Sequence, residues 1–72
     1  DCLIGEHVHI APGVTLSGGV RVGSGSFIGA GATVIHGVMV GADCLVAAGS
    51  VVLSDIRDKA TVMGVPAREI ET

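Results

Sequence analysis

Every sixth residue from Ile4 to Val52 is Ile, Leu or Val, and no insertion breaks the count. Nine six-residue units begin at Ile4, Ile10, Leu16, Val22, Ile28, Val34, Val40, Val46 and Val52, and the last ends at Arg57. A repeat of this length is the mark of a parallel β-helix, in which each short strand forms one side of a coil. The first position is aliphatic and the fifth is small or aliphatic (Val8, Val14, Val20, Ser26, Ala32, Val38, Cys44, Ser50, Ile56), so both are expected to point inward. The fourth position reads His7, Gly13, Gly19, Gly25, Gly31, Gly37, Asp43, Gly49 and Asp55. Gly and Asp suit a corner at which φ turns positive. Three units then make a triangular coil of eighteen residues, which stacks Ile4 under Val22 and Val40, Ile10 under Ile28 and Val46, and Leu16 under Val34 and Val52. The expected fold is all-β: a parallel β-helix of about three coils over residues 1–57, followed over 58–72 by a last strand, a turn and a short tail.

Seventy-two residues with Phe27 as the only aromatic allow a narrow lumen and a small core. A free monomer of that size is marginal, so contacts between subunits are expected to contribute. The net charge of −3 argues against a nucleic-acid or membrane-surface partner. Apolar residues recur at intervals of six and never run for eighteen, which excludes an apolar spanning helix. Cys2 and Cys44 both fall at inward fifth positions, but on different sides of the triangle. They read as buried free thiols in a reducing, cytoplasmic setting.

The chain starts at Asp1, already inside the repeat, and Cys2 fills an interior slot that needs a coil beneath it. This predicts that the chain is the C-terminal portion of a longer protein. The sixth, outward position reads His9, Thr15, Arg21, Phe27, Thr33, Met39, Leu45, Val51 and Arg57. Large apolar residues on an outer face mark a contact surface, and a cyclic homo-oligomer uses flat β-helix sides in that way. A second column is nearly bare: Pro12, Ala30 and Ala48 stack at one corner beside Gly13, Gly31 and Gly49. Either these residues only make tight turns, or a long thin ligand lies along the exposed backbone. His7 and His36 sit at corners and read as solvated. Arg57, Lys59 and Arg68 cluster near the end of the coil, and Ile70 is placed to fold back over the open end.

The sequence Gly64-Val65-Pro66-Ala67-Arg68, after nine hexapeptide units, resembles the hexapeptide-repeat acyltransferases. The run from Asp1 to Gly13, Leu16-Ser17-Gly18-Gly19-Val20 and Ala47-Ala48-Gly49-Ser50-Val51-Val52 are similar to one branch of that superfamily. That branch contains the sialic-acid O-acetyltransferases and the UDP-4-amino-sugar N-acetyltransferases of bacterial glycan synthesis. The resemblance implies a left-handed coil, acetyl-coenzyme A as acyl donor and a sugar or nucleotide-sugar acceptor, while the apolar outward residues Phe27, Met39, Leu45 and Val51 motivate a homotrimer. It also implies an N-terminal nucleotide-sugar-binding domain outside these residues, and no metal. The Gly-x-Pro-Ala-Lys/Arg element closes the helix beside the donor site in the superfamily, which assigns Gly64, Val65, Pro66 and Arg68 to the cofactor. The branch's catalytic base is a His followed by an acidic residue and a Cys. Asp1-Cys2 match the last two, so the base is expected just before Asp1, with Asp1 orienting it. The branch's second His matches His9, at the acetyl end of the site, and its backbone contacts to the cofactor fall at Ala30 and Ala48.

The implied reaction is direct acyl transfer. A neutral His removes a proton from the acceptor amine or hydroxyl as it attacks the thioester. The adjacent carboxylate fixes the tautomer of that His, and His9 with backbone N–H groups stabilises the oxyanion. Arg57, Lys59 and Arg68 are available for coenzyme A phosphates. Two other readings are weaker. A three-His metal site has only His7, His9 and His36 to draw on, and His9 and His36 are one and a half coils apart. A non-catalytic trimerisation module is the structural alternative, decided by the residue before Asp1. Nothing in the residues distinguishes N- from O-acetylation.

Overall fold

The computed structural model describes residues 2–70. Over these residues the chain forms eleven strands: β1 (Leu3–Ile4), β2 (His9–Ile10), β3 (Thr15–Leu16), β4 (Arg21–Val22), β5 (Phe27–Ile28), β6 (Thr33–Val34), β7 (Met39–Val40), β8 (Leu45–Val46), β9 (Val51–Val52), β10 (Thr61–Met63) and β11 (Arg68–Glu69). Three sheets in the orders β1-β4-β7, β11-β10-β8-β5-β2 and β3-β6-β9 form the sides of a left-handed parallel β-helix. No helix occurs among the described residues. The register is the one the repeat predicts: Ile4 pairs Val22, Ile10 pairs Ile28 and Leu16 pairs Val34, each partner being one coil on.

Every strand except the three-residue β10 is only two residues long because the corner follows at once. Seven glycines have positive φ, and three residues with side chains share that conformation: His7 at 58°, Asp43 at 54° and Lys59 at 63°. Tight stacking restricts the second position as well. A Cβ on Gly23 would lie 2.6 Å from the Ala42 nitrogen, and one on Gly29 would lie 2.5 Å from the Ala48 nitrogen. The lumen is filled by the first and fifth positions, with Val20, Ile28, Ala32, Val34 and Val46 fully buried. Two serines share it, and both are satisfied. Ser26 Oγ donates to the Gly41 carbonyl at 2.7 Å and accepts from the Cys44 N–H at 3.0 Å, while Ser50 Oγ accepts from the Gly64 N–H at 3.2 Å.

Four expectations need correction. The first-coil residues Ile4 and Ile10 are 42% and 39% exposed, because a lumen residue is covered from both sides and the described residues place a coil on one side only. Cys2 is exposed for the same reason, whereas Cys44 is buried with its thiol 3.1 Å from the Arg57 carbonyl; both are free. Asp55 does not adopt the positive φ expected at its corner; in the last coil that conformation falls at Lys59. The cause is a two-residue shortening, since Ile56 pairs Val40 and Val62 pairs Val46 at a spacing of sixteen instead of eighteen. The Asp55 and Asp58 carboxylates repair the ladder, accepting from the Met39 N–H at 2.8 Å and the Ala42 N–H at 2.9 Å. Finally, Ile70 does not close the open end. It is 37% exposed and its N–H bonds the Thr61 carbonyl, while Ala67 packs against the core instead.

Candidate active site

The bare corner joins the β2-β5-β8 side to the β3-β6-β9 side. Its backbone ladder runs from the Gly31 N–H to the Pro12 carbonyl (3.1 Å) and from the Gly49 N–H to the Ala30 carbonyl (2.9 Å). Ala30, Ala48, Gly31 and Gly49 are all exposed, and a Cβ on Gly31 or Gly49 would meet nothing within 4 Å. The corner formed by Glu6, Ser24, Ala42 and Asp58 is built differently. There the Ser24 hydroxyl accepts from the Glu6 N–H at 3.2 Å and the Asp58 carboxylate accepts from the Ala42 N–H at 2.9 Å. At the bare corner Pro12 has no N–H to offer, and alanine has no acceptor to lend. The N–H groups of Ala30 and Ala48 therefore carry no hydrogen bond among the described residues. One coil separates them, about 4.8 Å. An elongated ligand with amide carbonyls would find two aligned donors in that row.

The turn at residues 64–67 crowns this same corner. The Gly64 carbonyl accepts from the Val51 N–H at 3.0 Å, and the Ala67 N–H donates to the Val51 carbonyl at 2.8 Å. Gly64 has φ 102°, the Val65–Pro66 peptide is cis, and Val65 is 72% exposed. Ala30, Ala48, Gly64, Val65 and Pro66 thus lie along one edge of the prism. His9 and Arg68 stand on the side that leads into that edge, at its two ends. The strands between them, in the order β2-β5-β8-β10-β11, span roughly 19 Å at the usual strand spacing. Asp1 lies outside the described residues.

His9 is exposed, and its ring stacks on Phe27, its partner one coil on, with centroids 4.7 Å apart and planes within 2°. His7 and His36 are exposed at corners, as expected. Among the described residues, no three His, Cys, Asp or Glu side chains are grouped to hold a metal ion. Of the three cations assigned to phosphates, Arg57 is engaged elsewhere. Its Nε donates to Glu69 Oε1 at 2.9 Å and its Nη2 to Oε2, which fastens β11 to the last coil. The hydrogen bond from Arg57 holds the Glu69 carboxyl below its ordinary range, and Glu69 in turn raises Arg57. No spacing in the repeat signals this pair, because β11 returns antiparallel and lies outside the repeat. Ser26 and Ser50 were visible as polar residues in lumen slots, and each needed a partner.

The bacterial transferase hexapeptide (six repeats) family matches residues 1–36 and again 19–54. No curated protein matches the chain. Among solved structures, PerB from Caulobacter crescentus, in complex with CoA and GDP-perosamine, is 46% identical with a TM-score of 0.97 over 99% of this chain and 34% of its own. The acetyltransferase domain of PglB from Neisseria gonorrhoeae, in complex with acetyl coenzyme A, is 44% identical with a TM-score of 0.96 over 97% of this chain and 34% of its own. Serine acetyltransferase from Brucella abortus is 41% identical with a TM-score of 0.93, over 97% and 31%. This chain spans about a third of the length of these relatives. With its uninterrupted repeat, one-coil register and glycine corners, the chain belongs to the bacterial transferase hexapeptide family.

Proposed function

We propose that this chain is the acetyl-CoA-binding β-helix of an acetyltransferase that acts on an amino or hydroxyl group of a sugar or sugar nucleotide in bacterial glycan synthesis. The observation that carries this reading is the 46% identity, along 99% of the chain, to an enzyme solved with CoA and GDP-perosamine. Serine acetyltransferases share the fold at 35–41% identity, so the sugar acceptor rests on the higher value. The bare corner supports the donor assignment. Ala30 and Ala48 supply two unclaimed N–H groups, with the Gly64-Val65-Pro66 turn at one end of the row and Arg68 beyond it. In this reading residues 1–57 carry the repeat and residues 58–72 close the donor site.

The chemistry follows from the residues in their proposed roles. A His preceding Asp1 accepts the proton of the attacking amine or hydroxyl while Asp1 holds its tautomer. The new C–N or C–O bond forms as the thioester C–S bond breaks, and the proton passes to the departing thiolate. His9 hydrogen-bonds the oxygen that carries the transient negative charge. Two variants of GDP-perosamine N-acetyltransferase with a single His replaced, by Ala or by Asn, have been solved with CoA and GDP-perosamine, and a histidine-dependent reaction is consistent with that choice of residue. The outward residues Phe27, Met39, Leu45 and Val51 are the contact surface of a homotrimer in this reading. Cys2 and Cys44 remain free thiols in a reducing cytoplasm.

The test is thiol release from acetyl-CoA with a 4-amino-sugar nucleotide and, separately, with sialic acid. Residues 1–72 are compared with a protein extended by a His before Asp1, at least one further coil and an acceptor-binding domain. Calorimetry should detect acetyl-CoA binding by both. Turnover by the short chain should be lower by about 10²–10⁴-fold, the usual contribution of a general base. Equal turnover would transfer the base role to His9, and absence of acetyl-CoA binding would sink the reading.

A further inference from the structure

We infer that Phe27 is a positioning residue for the acyl-transfer step: its ring fixes the plane of the His9 imidazole, and so the plane in which His9 presents its nitrogens. The inference rests on the proposed placement of His9 at the acetyl end of the site. It starts from the register. His9 and Phe27 are Cα partners on neighbouring parallel strands, at the sixth position of consecutive coils on one side. Parallel strands lie about 4.8 Å apart, so two flat side chains leaving them in the same direction meet face to face. The observed centroid distance of 4.7 Å and interplanar angle of 2° are that arrangement.

Nothing else among the described residues orients the imidazole. Neither ring nitrogen of His9 has a side-chain or backbone hydrogen-bond partner there, and no carboxylate lies in ion-pair range; the one His–carboxylate approach belongs to His7 and Glu6 at 4.0 Å. A histidine that acts through a directed hydrogen bond usually has its second nitrogen held by a partner, which fixes ring and tautomer. Here that orienting task falls to the aromatic face. Stacking covers one face of the imidazole and leaves its ring nitrogens at the uncovered edge. Leu45, the next residue in the column, is the register partner of Phe27 on its far side. The three residues form one outward column with His9 at its end.

The experiment compares Phe27→Leu, Phe27→Tyr and His9→Ala in the full natural protein, using acetyl-CoA and its acceptor. Leucine keeps an apolar residue of similar reach in the column but has no flat face, whereas tyrosine keeps the face. Phe27→Leu should lower kcat by roughly three- to tenfold, the range a single aromatic pair accounts for, with KM for acetyl-CoA little changed. Phe27→Tyr should restore kcat. In nuclear magnetic resonance spectra the His9 ring protons should lose their upfield ring-current shift in the Leu variant and keep it in the Tyr variant, whatever the activity. If His9→Ala abolishes turnover while Phe27→Leu leaves kcat intact, the positioning role is wrong and the proposed site stands. If Leu and Tyr lower kcat equally, Phe27 acts only through packing and the inference is overturned. If His9→Ala has no effect, both fall together.

Discussion

Gly29 offers a direct test of how tightly the coils are stacked. A Cβ at this position would stand 2.5 Å from the Ala48 nitrogen, 2.8 Å from the Val46 carbonyl oxygen and 2.9 Å from the Ala47 carbonyl carbon. All three are backbone atoms, so no side chain can turn aside. Restoring an ordinary contact of 3.4 Å to the Ala48 nitrogen requires the coils to part locally by about 0.9 Å. That would stretch the Gly29–Val46 hydrogen bond of 2.8 Å and the Gly49–Ala30 bond of 2.9 Å towards 3.7 Å, beyond useful length. Two net hydrogen bonds at about 1 kcal/mol each, with an overpacking cost of about 1–2 kcal/mol, predict that Gly29→Ala destabilises by roughly 3–4 kcal/mol. Gly31→Ala is the control: its Cβ meets nothing within 4 Å, and only its φ of +71° is unfavourable, at roughly 1–2 kcal/mol. At about 4–8 °C per kcal/mol for a domain of this size, thermal unfolding followed by circular dichroism should separate the two variants by at least about 4 °C. Equal losses would refute the claim that contact between coils, and not backbone conformation, dictates glycine at the second position.

Ala48→Leu should raise the acetyl-CoA Kd at least tenfold, about 1.4 kcal/mol, and leave the melting temperature nearly unchanged; isothermal calorimetry on variant and parent checks this. Lys59→Gly should stabilise by about 0.5–1 kcal/mol in urea unfolding, because φ 63° is strained for lysine and natural for glycine, less the entropy glycine forfeits. For Glu69, a folded-state pKa lowered chiefly by the hydrogen bond from Arg57 means that the tail's anchoring is complete above the ordinary value of 4.5. It is lost as the pH falls through the lower folded value. Hydrogen-exchange protection of the Ile70 N–H, which bonds the Thr61 carbonyl, should therefore decline with acid below that point, corrected for intrinsic rates, and Glu69→Gln should show the low-pH protection throughout.

The repeat made most of the architecture legible. An aliphatic residue every sixth position and a glycine-rich corner between them leave one regular way to bury both inward positions, and the pairing of Ile10 with Ile28 and Val46 follows from counting. The bare corner was legible too, as three small residues one coil apart. What counting could not reveal is where the count changes. Asp55 occupies a fourth position like the corner residues before it, yet its carboxylate serves as a substitute carbonyl for Met39 in a coil two residues shorter. Arg57 read as a free cation because its partner, Glu69, arrives on a strand that reverses direction after the repeat has ended. The His9–Phe27 column was visible as a register relation, but the stacking of the two rings also depends on side-chain torsions that the repeat count does not encode.

The three corners of the prism share one backbone shape, and the residue at the third position of each unit decides how they differ. Where that residue is Ser24, or Asp58 in the shortened last coil, its side chain occupies the donor of the coil before it; Ala42, between them, does not. Where it is Ala30 or Ala48, the edge stays open. An open row of backbone donors on this scaffold is therefore specified by subtraction. It can be moved from edge to edge by exchanging small side chains for hydroxyls or carboxylates, without touching a core residue. In this chain the lumen sets the shape, and the residues of the edges vary independently of it along the same eighteen-residue period.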